Sequence, residues 1–408
     1  MSTQQKSSPS SAEMNRRACI VGVGETRYTK WGGITDASEY QLAVEAITRA
    51  CADAGVHVRD VDGLCSFGDD RNVATFMAAD LGLHELRWAT MSWLPGGGGS
   101  CAAVAAAAVA VESGQAETVI VYRSLCQGQF GRFGQGPGGR RSERAPALRR
   151  ARSLIEAHAA YTMPFGMVNP PTAYAMVMQR HMHLFGTTSE QMGNVAVRFR
   201  AHANKNPRAV MSDKTMTLED HASSRMVAEP LHLFDCCLEN DGACAVVVTT
   251  EERAFDLQRS PVPIVATAQG APHRFGHGQY LNVNLPDELY ANGGGEGVAK
   301  RLWAGSQLRP EDVDVAMIYD HFTGLVLLTL EDFGFCARGE GGAFFAETTL
   351  PMNTHGGSLS EAYIHGLNHV VEGVRQLRGE STAQVAGART CLVTGAAGVP
   401  TSALVLTV

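Results

Sequence analysis

The chain repeats its own plan, and that repeat limits the folds open to it. A helix-patterned run from about Ser38 to Ala54 leads to Val58-Arg-Asp-Val-Asp-Gly-Leu-Cys-Ser66, and another from about Gly295 to Ala304 leads to Leu308-Arg-Pro-Glu-Asp-Val-Asp-Val-Ala-Met-Ile-Tyr319. In each copy an Asp-Val-Asp triplet, Asp60 to Asp62 or Asp312 to Asp314, precedes a short apolar strand. The echo continues: Gly96 to Gly99 opens an alanine helix to about Glu112, Gly114 stops it, and Glu117 to Tyr122 reads as a strand. Its late counterpart is Gly356-Gly357, a helix from Ser360 to about Leu377, Gly379, and the strand Thr390 to Thr394. A duplicated strand–helix–strand, Gly-turn–helix–strand unit predicts parallel, buried sheets with helices on their faces, and ligands gathered where the glycine turns meet.

Within this plan the chain divides into a polar tail (1–15), a first half (16–125), an insertion (126–230), a strand closing the first half (231–260) and a second half (261–408). The insertion is rich in Gly, Arg, Met and His, carries helix patterns at Thr172 to Leu184 and Ser189 to Asn204, and reads as a lid or interface. Met176, Met178 and Met182 fit lid or core packing, or a flexible wall for a bulky substrate. Arg140, Arg141, Arg144, Arg149, Arg150 and Arg152 form either a solvated loop or a patch for a phosphorylated ligand or acidic partner.

With a net charge of −7 the chain is not expected to bind nucleic acid. Its ten cysteines include no C-x-x-C pair, which fits a reducing cytosol. Ser2 to Glu13 lacks an apolar signal core, and Ala102 to Val111 is too short to span a bilayer, so a soluble cytoplasmic protein is expected. Gly22-Val-Gly24 lacks the third glycine and acidic partner of a dinucleotide fingerprint. His365 and His369 share a helix face, but no third ligand completes a metal set. His232 with Cys236, Cys237 and Cys244 is equally incomplete.

The densest cluster of chemical side chains is Asn353-Thr-His-Gly-Gly-Ser-Leu-Ser-Glu-Ala-Tyr-Ile-His-Gly366. A glycine turn feeding a helix presents N–H groups to an anion or carbonyl oxygen. Together with the duplication, Asn240-Asp-Gly-Ala243 and Tyr319-Asp-His-Phe322, this segment resembles the thiolase superfamily, and within it the sterol-carrier-protein-x and lipid-transfer-protein branch that includes thiolase-like aldolases of steroid side-chain degradation. The resemblance runs from Arg17 to Val408 and implies a duplicated thiolase fold, layered α-β-α-β-α with two mixed sheets around central helices.

Thiolases use a nucleophilic cysteine at the first central helix, a histidine on the late Gly-Gly turn and a second cysteine near the C-terminus. Family spacing counted from Gly114 places the nucleophile position on Gly97, while Cys101 lies a helical turn deeper, as a packing residue or a displaced nucleophile. The histidine position holds Tyr363. The second cysteine position holds Val393, with Cys391 two residues earlier. The resemblance therefore implies a lyase working through Tyr319 and Tyr363: retro-aldol cleavage of a β-hydroxyacyl-CoA to a ketone and a short acyl-CoA such as propionyl-CoA, with CoA present as part of the substrate and no other cofactor. Sequence leaves open which tyrosine is acid and which is base; the arrangement taken first has Tyr363 as acid or enolate partner and Tyr319 as base. His321 and His365 bias or relay the proton and Asp320 orients, while Gly97, Gly98, His355, Gly356, Gly357 and Ser358 form the substrate and oxyanion wall. A homodimer associated with a small DUF35-type OB-fold protein, as a heterotetramer, is implied as well. The rival readings are an acetyl-CoA acyltransferase using Cys101 and a non-catalytic acyl-CoA-binding subunit of a DUF35-type complex.

Overall fold

The computed structural model describes residues 17–68, 70–92, 94, 96–130, 163–167, 169–272 and 290–408; the Ser2 to Glu13 tail and the arginines from Arg140 to Arg152 fall outside them. The first half comprises β1 (Ala18–Glu25), β2 (Thr29–Lys30), α1 (Glu39–Ala54), β3 (Gly63–Phe67), α2 (Ala74–Leu81), β4 (Trp88–Ser92), α3 (Ser100–Glu112) and β5 (Thr118–Cys126). Next come α4 (Pro170–Phe185), α5 (Ser189–Ala203), the hairpin β6 (Met226–Ala228) and β7 (Leu231–His232), and the long strand β8 (Asn240–Thr250). The second half contains β9 (Val262–Gly270), α6 (Glu296–Ser306), β10 (Val315–Met317), α7 (Thr323–Asp332), α8 (Gly357–Ser360), α9 (Leu367–Arg378), β11 (Thr390–Thr394) and β12 (Thr401–Thr407).

Strand order shows the duplication directly. The first half runs β4-β3-β5-β8-β1 and the second β10-β11-β12-β9, so β3, β5, β8 and β1 correspond to β10, β11, β12 and β9. Pairing directions also match: β3–β5 and β10–β11 are parallel, whereas β5–β8, β8–β1, β11–β12 and β12–β9 are antiparallel. A parallel bridge from Ala316 to Met352 stands where β4 flanks β3. The sheets are therefore mixed, not the parallel sheets that strand–helix alternation alone predicts. They also join edge to edge, because Cys19 and Ile20 of β1 pair with Pro263 and Val262 of β9, giving one ten-stranded sheet.

Alternation along the strands builds the layers. Ala18 and Ile20 of β1 and Val246 and Val248 of β8 face a central core with α3, α9, Val393 and Leu404. Cys19, Val21, Ala245 and Val247 face the opposite way, onto α1. On the second half, Ala316, Ala403 and Val405 pack against α6, α7 and the inserted helices, with Met178 buried among them. Five layers result, with α3 and α9 in the middle. A central helix must be apolar nearly all round, and the alanine and valine content of α3 supplies that. At the outer layer, Ser38 and Gln41 form a capping box that starts α1, and Gly55 ends it at φ 72°.

The late helix expected from Ser360 to Leu377 is broken. It runs as the short α8, an irregular segment at 361–366, and then α9. His365 and Gly366 hold φ values of 49° and 83°, outside the right-handed helical region. Tertiary packing selects the break, since a Cβ on Gly366 would lie 2.7 Å from the Tyr319 ring.

The Asp-Val-Asp echo has a structural cause. Asp62 accepts from the N–H groups of Glu117 (2.9 Å) and Thr118 (2.8 Å) at the start of β5, and Asp314 accepts from those of Arg389 (2.8 Å) and Thr390 (2.9 Å) at the start of β11. Asp62→Ala orphans two N–H groups beside a buried strand and is predicted to cost about 2 kcal/mol or more. Exposed Asp60→Ala should stay within about 0.5 kcal/mol. Urea unfolding of both variants checks this contrast.

Candidate active site

Two glycine turns and the loop after β10 converge on one buried phenol. Gly97 lies in the turn that starts α3, and a Cβ there would stand 1.9 Å from Tyr319 Cζ and 2.1 Å from its hydroxyl. The phenol thus fills the space into which a side chain at 97 would project. Gly98 is held by the C-terminal loop: its carbonyl accepts from Ser402 Oγ at 2.6 Å, and a Cβ would meet the Pro400 carbonyl at 2.1 Å. Ser402 Oγ also accepts from the Ala102 N–H at 3.0 Å, satisfying one of the open donors at the start of α3.

Around Tyr319 the rings of His321, His369 and Tyr363 lie at 5.0, 5.8 and 6.3 Å, and His365 stands 5.0 Å from Tyr363. The structure therefore brings together Tyr319, His321, Tyr363 and His365, all four singled out in the sequence. Tyr319 is 1% exposed and its hydroxyl makes no hydrogen bond of regular geometry. Burial and the neighbouring Tyr363 phenol push its pKa well above 10. Tyr319 consequently rests as a neutral phenol.

Burial also drives His321 down to about 3, so its imidazole is neutral, and among the described residues neither ring nitrogen has a hydrogen-bond partner. Burial and then Arg123 hold His365 well below 6.5. Neutral imidazoles accept or relay protons but do not stabilise a phenolate by charge, so the bias once expected from them is absent.

The late turn departs from its expected role. Asp320 accepts from the N–H groups of Ser358 (2.7 Å) and Leu359 (3.1 Å) and from His369 Nε2 (3.0 Å), while the Gly356 N–H goes to the Asn353 carbonyl at 2.8 Å. The N–H groups of Gly356, Ser358 and Leu359 are thus committed within the fold, and Asp320 is the carboxylate that holds this turn. A Cβ on Gly357 would meet Asp320 at 2.1 Å, which explains the glycine. Ser358 Oγ remains buried without a partner. His355 sits elsewhere: its ring meets His369 at 4.9 Å and its Nε2 lies 3.6 Å from Glu361. His369 turns to Asp320 rather than sharing a ligand with His365.

Cys101 is fully buried, contacts the Val393 carbonyl at 3.6 Å, and has its thiol pushed up to about 12 by burial. Such a thiol is no nucleophile at neutral pH. Cys391 is buried, with its pKa raised for the same reason.

Three contributors escaped the sequence reading of the site. Tyr174 on α4 meets His321 edge-on at 4.9 Å. Cys237 lies close enough to raise the Tyr319 pKa and donates its N–H to the His321 carbonyl at 2.9 Å. Asn240 Oδ1 fixes the Tyr363 N–H at 2.5 Å. Asn240 stood in a quoted motif, so its signal was present; nothing in the sequence distinguishes Tyr174 from a core aromatic. Unpartnered buried polar atoms on Tyr319, His321, Ser358 and Asn240 are each costly, about 1–3 kcal/mol apiece, unless a polar ligand meets them.

Gly97→Ala must displace the phenol, and a shift of about 1 Å lowers kcat by about 100-fold. Cys101→Ala should leave kcat unchanged. Steady-state kinetics on both variants, with circular dichroism to verify folding, makes the comparison.

Comparison with known proteins agrees with this geometry. Residues 293–408 match the family model described as Thiolase C-terminal domain-like. The chain is 44% identical to the 17-hydroxy-3-oxo-4-pregnene-20-carboxyl-CoA lyase of Mycobacterium tuberculosis, covering 96% of this chain and 100% of that protein. It is 42% identical to the steroid side-chain-cleaving aldolase of Thermomonospora curvata, covering 95% and 97%. The solved Ltp2-ChsH2(DUF35) aldolase superposes with a TM-score of 0.85 at 40% identity, over 96% of this chain and 98% of that one. Identity of this order along the whole length, on a duplicated fold with tyrosines in place of the thiolase groups, makes the chain a member of the thiolase-like aldolase family.

Proposed function

We propose that Tyr319 and Tyr363 carry the retro-aldol cleavage by which this thiolase-like lyase splits a β-hydroxyacyl-CoA, the substrate being a steroid side-chain CoA thioester as the names of its relatives indicate. The observation that carries the proposal is the Tyr319 phenol lodged against Gly97, with Tyr363 beside it. In this reaction the β-hydroxyl loses its proton, the Cα–Cβ bond breaks, and the oxygen-bearing carbon leaves as a ketone. The electron pair moves into the thioester enolate, which takes a proton at Cα to give the short acyl-CoA. No electrons are lost or gained overall, so the chemistry needs no cofactor beyond the CoA of the substrate.

We assign the roles by supposing that Tyr319, held neutral, donates toward the enolate, while the partly exposed Tyr363, with buried His365 beside it, takes the hydroxyl proton. His321 relays between donor and solvent as a neutral imidazole. The glycine turn at the start of α3, with Gly97 and Gly98, joins Gly357 as the oxyanion wall.

The exposed edge of β4, with Met91 at 40% exposure and neighbouring Phe76 at 66%, supports a homodimer joined along that edge. Kinship with the Ltp2-ChsH2(DUF35) aldolase supports a DUF35-type OB-fold partner, in a heterotetramer with that dimer. Among the described residues no helix is long and apolar enough to cross a membrane, and ten cysteines with no C-x-x-C pair support a cytoplasmic site of action.

Tyr319→Phe and Tyr363→Phe are each expected to lower kcat by about 100-fold or more while KM moves little. The assay follows ketone and acyl-CoA release by chromatography, with and without the DUF35-type partner. Full activity in both variants contradicts the proposal.

A further inference from the structure

Beyond the tyrosines, one cavity has a charge pattern that the cleavage does not use. At the end of β1, Glu25, Arg27, Arg49, Arg208 and Arg375 line a cavity of about 580 Å³ together with Tyr28 and Pro207. A volume of this size suits a small ligand or part of a larger one. Three of the four arginines here contact one glutamate. Arg208 Nε lies 2.7 Å and Arg375 Nη2 2.9 Å from the same Glu25 Oε1, and Arg49 Nη1 donates to the Glu25 carbonyl at 2.9 Å. Arg49 also pairs with Glu45 at 2.6 Å, and Arg27 pairs with Asp36 at the rim. Among the described residues, the buried Arg208 Nη2 has no hydrogen-bond partner. Arg375 pairs with both oxygens of Glu25 and Arg208 with one, so the cavity wall holds four guanidinium groups against the carboxylates of Glu25, Asp36 and Glu45.

We propose that this cavity binds a phosphate group. Guanidinium forks match phosphate oxygens in bidentate geometry, and a tetrahedral dianion offers three oxygens and twice the charge of a carboxylate to the same arginines. The cavity also touches the catalytic framework. Arg208 lies two residues before Val210, whose N–H donates to the Glu361 carbonyl at 2.9 Å, and the Met211 N–H donates to Ser360 at 3.2 Å. Asn206 Nδ2 donates to Glu361 Oε1 at 2.8 Å, and Tyr363 follows Glu361 by two residues. A phosphate on Arg208 therefore braces the segment that backs the turn carrying Tyr363.

The phosphate comes either from the CoA moiety of the substrate, through its 3′-phosphate, or from a free phosphate ligand. Only the first source rests on the acyl-CoA reading above; the site itself rests on the arginines. Calorimetric titration of the full chain with CoA, dephospho-CoA and inorganic phosphate, in wild type, Arg208→Gln and Arg49→Gln, separates them. For the CoA source, wild type binds CoA about 10-fold more tightly than dephospho-CoA, and both variants lose that difference. For the free source, inorganic phosphate binds wild type and is weakened about 10-fold in the variants, while CoA and dephospho-CoA behave alike. Unchanged binding of all three ligands in both folded variants overturns the proposal. Binding needs no turnover, so this outcome is independent of whether Tyr319→Phe abolishes cleavage.

Discussion

Everything at this site depends on a steric exchange: two residues without a Cβ make room for one phenol. A side chain at 97 would occupy the Tyr319 ring, and one at 366 would crowd its edge. Keeping the phenol there fixes Gly97 at the start of α3 and the left-handed Gly366 that ends the irregular segment after α8. That segment in turn presents Tyr363 and His365 to the phenol. The absence of a side chain at position 97 thus leaves the volume that the Tyr319 phenol fills.

Burial then sets the chemistry. A dry site favours uncharged forms, so the Tyr319 phenol and the His321 and His365 imidazoles rest neutral. Two N–H groups and His369 surround Asp320. Its role is to hold the turn beneath the reacting groups. Such preorganised groups act without rearrangement at the moment of bond breaking.

Much of this was legible in the residues. The twin Asp-Val-Asp triplets mark the duplication because each supplies a carboxylate that receives the start of a core strand. Counting from Gly114 found Gly97, and the loop after β10 and the late turn yielded Tyr319 and Tyr363. The interrupted late helix was not legible, since apolar spacing continues through residues 361–366 and the break is imposed by the Tyr319 ring. Nor was the capture of Ser358 and Leu359 by Asp320, a contact across 38 and 39 residues of sequence. The join of β1 to β9 depends on two edges meeting in space, which local pattern cannot encode. Tyr174 reaches His321 from an inserted helix whose aromatic and methionine content reads equally well as core.

Cleavage without a covalent intermediate is tested most directly by turnover in deuterium oxide with no free CoA added. The account predicts an acyl-CoA product carrying one deuterium at its α-carbon, together with an enzyme whose mass is unchanged throughout turnover. An acyl adduct on any cysteine, or a strict requirement for added CoA, contradicts it.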